Sequence, residues 1–224
     1  MHLLIDRRQW LALGLGTLCS AAWAAPLPQR IASPAITQTD WVHYALRLHF
    51  VPAAQAFAHS STALAEVLSK GCNLPAARSA WRAAMLDWER LSAVSVGPLI
   101  ERRSARSIDF WPTRPAMVNA AVANPPQTVA ALDDLGAPAK GLPALEFLLW
   151  QAAPDTAQCT FAAALAQGCA SEGQALLADF QTLAARAWTP DTALAAFNEW
   201  FSPAVGGLEQ LRWKKMGKPA RSGR

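Results

Sequence analysis

Apolar residues along this chain recur every three or four positions almost from end to end. That is the spacing of one face of an α-helix, and the alternation of a half-buried strand is missing. Residues 39–69 open at a Thr39-Asp40 cap and align Val42, Leu46, Ala53, Phe57, Leu64 and Leu68 on one stripe. Pro52 is expected to kink that helix, because it lacks an N–H and its ring crowds the carbonyl four residues back. Gly71 to Pro75 reads as a turn. Residues 76–95 follow as a helix with Trp81, Met85, Trp88 and Ser92 on one face, ended by Gly97-Pro98. Pro98, Pro112, Pro115, Pro125, Pro126 and Pro138 then break the pattern into loops and short turns, with one helix expected around 127–134. So long an irregular stretch in a compact domain is usually functional or wraps a core. Helical spacing returns at 141–151 and at 156–188, the latter with Phe161, Leu165, Leu176, Phe180, Leu183 and Ala187. At 191–213, Leu194, Phe197, Phe201, Leu208 and Leu211 are spaced like a bundle seam, which Pro203 and Gly206-Gly207 should bend or split. The expected fold is all-α, a helical bundle with a long Pro-rich crossover.

The first residues stand outside this pattern. Arg7 and Arg8 precede the apolar stretch Trp10 to Leu18, and Ala22-Trp23-Ala24 is a small-x-small cleavage site, so residues 1–24 read as a signal peptide. The apolar part is too short to stay in a bilayer as an anchor. The arginine pair also fits a twin-arginine signal, which would mean export after folding. Cys19 follows Gly16-Thr17-Leu18, a poor lipobox, so the reading is a periplasmic protein without a lipid anchor. Export would leave 200 residues, enough for a proper core. A helical domain is expected over 25–219 and a disordered basic tail at 220–224.

The remaining 18 basic and 15 acidic residues sum to +3, with the excess gathered at Arg212, Lys214, Lys215, Lys218, Arg221 and Arg224. A nucleic-acid binder would spread basic residues among aromatics on one face, so that partner class is set aside. No later apolar run reaches membrane-spanning length. Three cysteines remain: Cys72, Cys159 and Cys169. An odd count in an oxidising compartment implies one disulfide plus a free thiol, or an intermolecular bond. On one continuous helix Cys159 and Cys169 lie about 15 Å apart, too far to bond. Cys72 is thereby left as the partner of one or the other.

Zinc-helix, nucleophile-elbow, phosphate-loop and dinucleotide motifs are all absent from the sequence. His43, His49 and His59 fall in the first helix at spacings that do not set two imidazoles side by side. Two segments stand out. In Arg106-Ser107-Ile108-Asp109-Phe110-Trp111-Pro112 a carboxylate is embedded among large apolar residues, and burying it alone would be costly. Arg82, Arg103 and Arg106 are the available partners, and the bland alternative is a loop plug in which Asp109 caps a turn. In Lys140 to Trp150, Glu146 sits in a helix that looks hydrophobic on all sides, the signature of a buried element. There it would need hydrogen bonds, a basic partner or a metal, and its pKa would rise without them.

Gly141-Leu142-Pro143-Ala144-Leu145-Glu146-Phe147-Leu148-Leu149-Trp150 resembles the signature helix of imelysin-like proteins, whose common form is Gly-x-His-x-x-Glu. The stretch from Trp81 to Glu89, Gly97-Pro98, Ile108 to Pro112, Gly207 to Arg212 and Met216-Gly217-Lys218-Pro219 agree with that family in order and spacing. The likeness runs over roughly 36–219. It implies an exported protein of two helix bundles, a link to envelope components of iron uptake, and a history of assignment as a metal-dependent peptidase. It also places the site where the signature helix meets the crossover, here Glu146 near Asp109 and Trp111, with Arg106 or Arg82 tuning the carboxylates. Pro143 stands where the family has His, as in its lipoprotein-like branch, and proline neither ligates a metal nor moves a proton. Two carboxylates without an imidazole make a poor zinc site, although oxygen donors suit iron, calcium or another divalent or trivalent cation. The expectation is a non-enzymatic component that binds iron, haem, another ligand or an uptake partner. A peptidase would need His43 or His49 to enter the pocket, and a plain scaffold would satisfy Asp109 and Glu146 with arginines. Relatives run on past Gly-Lys-Pro, so a truncated product with an incomplete second bundle and exposed apolar seams at 156–213 is also expected.

Overall fold

A computed structural model describes residues 35–212 of the chain, apart from 127, 152 and 211. The signal segment, Cys19, Leu211, and the basic tail beyond Arg212 lie outside the described residues. Those described form one helical unit, with no strand among them. No helix among them is long and apolar enough to cross a membrane.

The first helix, α1, spans Gln38–Ala45 and is started by Thr37, two residues before the expected cap. The Thr37 hydroxyl accepts from the Asp40 N–H at 3.1 Å while the Asp40 carboxylate accepts from the Thr37 N–H at 3.2 Å, a capping box. The Thr37 hydroxyl also donates to the Asp40 carboxylate at 2.7 Å, and this bond, with the Thr37 N–H adding, holds the Asp40 carboxyl below its ordinary range. Pro52 does not break the chain's helical course. One wide turn of π-helix, Leu46–Phe50, precedes it, and α2 continues as Val51–Ser69. The Val51 N–H reaches the Leu46 carbonyl five residues back. An extra residue in the turn is how a helix makes room for a group that cannot join its ladder.

Helix α3 is Leu74–Ser92, capped by Asn73, whose side chain accepts from the Ala76 N–H at 3.2 Å. The crossover is more helical than the prolines imply. It holds α4 (Pro98–Glu101), α5 (Ser104–Ile108) and α6 (Pro115–Ala123), then two 3-10 turns, Ala130–Asp134 and Ala137–Ala139. Each of Pro98 and Pro115 opens a helix, where the missing N–H costs nothing. Helix α7 is Gly141–Leu149, α8 is Thr156–Ala185 and α9 is Pro190–Gln210. Pro203 lies inside α9, which runs through it and through Gly206-Gly207 without the expected split.

The core lies between α2, α3, α7 and α8. Phe57, Leu64, Trp88, Leu91, Leu145, Leu148, Phe161 and Phe180 are fully buried there. Helices α2 and α8 are in close contact at Gly173, where a Cβ would come within 2.7 Å of Ser61 Oγ and 3.2 Å of Ala58 Cα. Ser61 is buried because its hydroxyl donates to the Phe57 carbonyl at 2.7 Å. Helix α1 and the π turn pack on α9, with Trp41 edge-on to Phe197 at 4.9 Å and Phe50 edge-on to Trp200 at 5.7 Å. A disulfide joins Cys72, in the α2–α3 turn, to Cys159 at the start of α8. Cys169 is free and buried, and burial, with Glu172 adding, pushes its thiol up to about 12.

Candidate functional site

Helix α3 positions the site. Arg78, Trp81 and Trp88 recur at helical spacing on its inner side, and each donates to a different point on the crossover or α7. Arg78 caps the end of α7, donating to the Leu149 carbonyl at 2.7 Å and the Gln151 carbonyl at 3.2 Å. Trp81 Nε1 donates to the Leu142 carbonyl at 2.8 Å, holding the first turn of α7. Trp88 Nε1 donates to the Asp109 carboxylate at 3.3 Å, holding the crossover just after α5. Gly141 has φ +79°, and a Cβ there would overlap the Ile108 carbonyl, so only glycine lets α7 begin beneath the crossover. A second clamp fixes the crossover to α8: Arg102 donates to both Glu172 oxygens at 3.0 and 2.8 Å and to Asp179 at 3.1 Å. Buried Ser104 adds a 2.7 Å bond to Glu172.

These contacts leave an open groove of ≈ 500 Å³ where α7 meets the crossover. Trp111, Thr113, Pro115, Pro143, Glu146 and Phe147 line it, with Trp150 and Gln151 at its end. Trp111 follows α5 on a turn with a cis peptide to Pro112 and is 74% exposed. The Thr113 hydroxyl is covered and has no hydrogen-bond partner among the described residues. Arg78 and Arg82 stand over the Trp150 ring at 5.5 and 5.2 Å, and Trp81 meets it edge-on at 5.1 Å.

The predicted site residues are therefore brought together only in part. Trp111, Pro143 and Glu146 share the groove; Asp109 does not line it. Glu146 is exposed, contrary to the buried carboxylate expected of an all-apolar helix. Helix α7 has only nine residues and buries seven of them, and the single direction left to solvent carries Glu146 and, one turn on, Trp150. Asp109 is half-buried, and none of the three expected arginines pairs with it among the described residues. Arg106 is exposed, Arg103 is the left-handed residue that starts α5, and Arg82 lies on Trp150. Burial pushes the Asp109 carboxyl up; the Trp88 bond opposes this and the Glu89 charge adds to it. His49 lines a separate apolar pocket with Trp41, Phe50, Val94 and Trp200, and neither it nor His43 reaches the groove.

A metal, which the resemblance implies, does not fit this donor set. Glu146 is one exposed carboxylate, Asp109 faces Trp88, and no three of His, Cys, Asp and Glu gather to hold an ion among the described residues. Arg78 and Thr113, which shape the groove, were not legible as site residues: one satisfies a distant helix end, the other is marked only by its missing partner.

The imelysin family profile matches residues 49–224, most of the chain and all of the groove. The chain belongs to the imelysin family. A crystal structure of an imelysin-like protein from Psychrobacter arcticum 273-4 superposes with a TM-score of 0.67 at 21% identity, over 78% of this chain and 60% of that one. That likeness establishes the all-helical fold, and the chain spans less than two thirds of the relative's length. No curated protein matches the sequence significantly.

Proposed function

We propose that this imelysin-family protein is an exported, ligand-binding component of an iron-uptake system in the cell envelope, and that it binds without cleaving. The observation that carries this is the α7–crossover groove, with the exposed Trp111, the Trp150 end, the free Glu146 carboxylate and the unpartnered Thr113 hydroxyl. A concave apolar surface with a few convergent polar groups suits an organic ligand better than a bare ion. Iron would then arrive inside such a ligand, haem or a chelate, and not on protein donors. Export is supported by the disulfide between Cys72 and Cys159, which persists in oxidising compartments, and by the signal-like residues 1–24. Binding without cleavage is supported by Pro143, which offers neither a metal ligand nor a proton carrier.

The test is thermal stability with haemin, ferric citrate and ferric chloride in separate arms, beside Trp111→Ala and Glu146→Gln. A ligand at a hundred times its dissociation constant adds about 2.7 kcal/mol, which raises Tm by roughly 5–10 °C in a domain of this size. A rise with haemin or ferric citrate that Trp111→Ala abolishes supports the proposal. A rise with ferric chloride alone, removed by Glu146→Gln, would replace it with metal binding. No rise in any arm removes the iron link.

A further inference from the structure

We infer that a second pocket, between the crossover and α8, binds small organic carboxylates with a short apolar chain, and that Lys140 takes their charged end. The pocket has a volume of ≈ 310 Å³, within the span of small-molecule sites, and shares no lining residue with the groove. The charge it leaves poorly answered is that of Lys140. This side chain is only 13% exposed, and its ammonium donates to the Leu132 and Asp133 carbonyls through long bonds of 3.3 and 3.5 Å. The Asp133 carboxylate stands 3.9 Å away and is itself 88% exposed, so solvent screens it. An ammonium has three donors, and among the described residues the third makes no hydrogen bond. Drawing a charged amine out of water on such terms is unfavourable, and a ligand carboxylate in the pocket would offset it with a charge-assisted bond.

The other ionic groups lining the pocket are already matched. Arg102 answers both oxygens of Glu172, and the Ser104 hydroxyl adds a third bond, so this pair offers a ligand neither a free cation nor a free anion. Helix α7 begins at Gly141, on the pocket wall, without a side-chain cap, and its positive end adds to the potential at Lys140. Charge therefore selects an anion. The rest of the wall selects what the anion is attached to. Ile108, Leu132, Leu165 and the neutral Cys169 thiol are buried and line the same pocket, so an apolar body gains by covering them where an inorganic ion would not. Ser171, exposed on α8, stands at the mouth.

Isothermal titration calorimetry of the full chain with butyrate, hexanoate and the uncharged hexanamide, at matched ionic strength, tests the assignment. Hexanoate should bind more tightly than butyrate, by about fourfold for each added methylene. Hexanamide should bind at least tenfold more weakly than hexanoate. Lys140→Gln should weaken hexanoate at least tenfold, while Lys70→Gln, which removes an exposed charge at the end of α2, leaves it unchanged. Ser171→Phe fills the mouth without altering any charge and should weaken binding as strongly. Circular dichroism shows whether each variant is folded, and if Lys140→Gln is not, Ser171→Phe decides the matter. The inference is overturned if hexanoate does not bind, if hexanamide binds equally well, or if hexanoate is indifferent to either folded pocket variant.

Discussion

Phe180 on α8 and Phe201 on α9 are the same side chain on two long apolar helices, and the fold treats them in opposite ways. Phe180 is fully buried and stacks on Phe50 at 5.4 Å, whereas Phe201 is half in water and, among the described residues, stacks on Phe197, one turn back on its own helix, at 5.3 Å. Helix α8 meets α2 at a glycine so tightly placed that an added methyl would clash; the two glycines of α9 have nothing within 4 Å of where a Cβ would stand. The disulfide ties α8 to the α2–α3 turn, and no bond of that kind reaches α9. Apolar spacing thus shows that a helix has a face to bury without saying what will bury it.

The comparison is tested most strongly by cutting both phenylalanines to alanine. Phe180→Ala should cost about 3–5 kcal/mol in urea unfolding. Phe201→Ala should cost less than about 1 kcal/mol, the worth of one partly exposed ring contact. Equal losses would mean that α9 is as deeply built into the core as α8. Removing the disulfide by the double change Cys72→Ser and Cys159→Ser should cost about 2–4 kcal/mol, read as a lower midpoint with a steeper slope, because the freed denatured chain exposes more surface. A matched glycine pair sharpens the contrast further. Gly173→Ala should destabilise by about 1–3 kcal/mol through overpacking, while Gly207→Ala should stabilise by up to about 1 kcal/mol through helix propensity alone.

The smallest effect concerns Asp109. Burial raises its folded pKa above the unfolded value, so as pH rises the unfolded chain gives up this proton first. Between the two values the folded state binds more protons, and stability falls with increasing pH. Asp109→Asn keeps an oxygen for Trp88 and removes that loss. The variant should be slightly more stable at pH 7, and the difference should shrink as pH drops below about 4, the ordinary aspartate range. A difference that grows toward acid would mean that the carboxylate is stabilised in the fold, and that a cation near it had been overlooked.

Much of the site was legible in the sequence for local reasons. Gly141 could be singled out because a motif glycine at a helix start marks a tight approach, and the structure supplies the approach in the Ile108 carbonyl. Trp111 and Glu146 were expected as neighbours from the family resemblance, which sets the signature helix against the crossover, and both line the groove. Glu146 was misjudged because a nine-residue apolar helix looks the same from within whether or not one side meets solvent. Asp109 was assigned arginine partners by charge, but the group in reach was the indole of Trp88, 21 positions away and one of the apolar residues of α3. The helix Pro115–Ala123 was missed because proline was read as a breaker where it acts as an initiator.

By itself, then, the sequence determined that the chain is all-helical, roughly where the long helices lie, which family it belongs to, and that Cys159 and Cys169 do not bond to each other. Those conclusions rest on interactions that span one turn of helix or on motifs read in order along the chain. The tertiary structure alone decided that Cys159 takes Cys72, that Arg102 clamps Glu172 and Asp179, and that Glu146 faces a groove. It also decided which apolar side chains of α9 are exposed among the described residues. Each depends on which surfaces meet between segments far apart in the chain, and packing geometry settles that where local spacing carries no information.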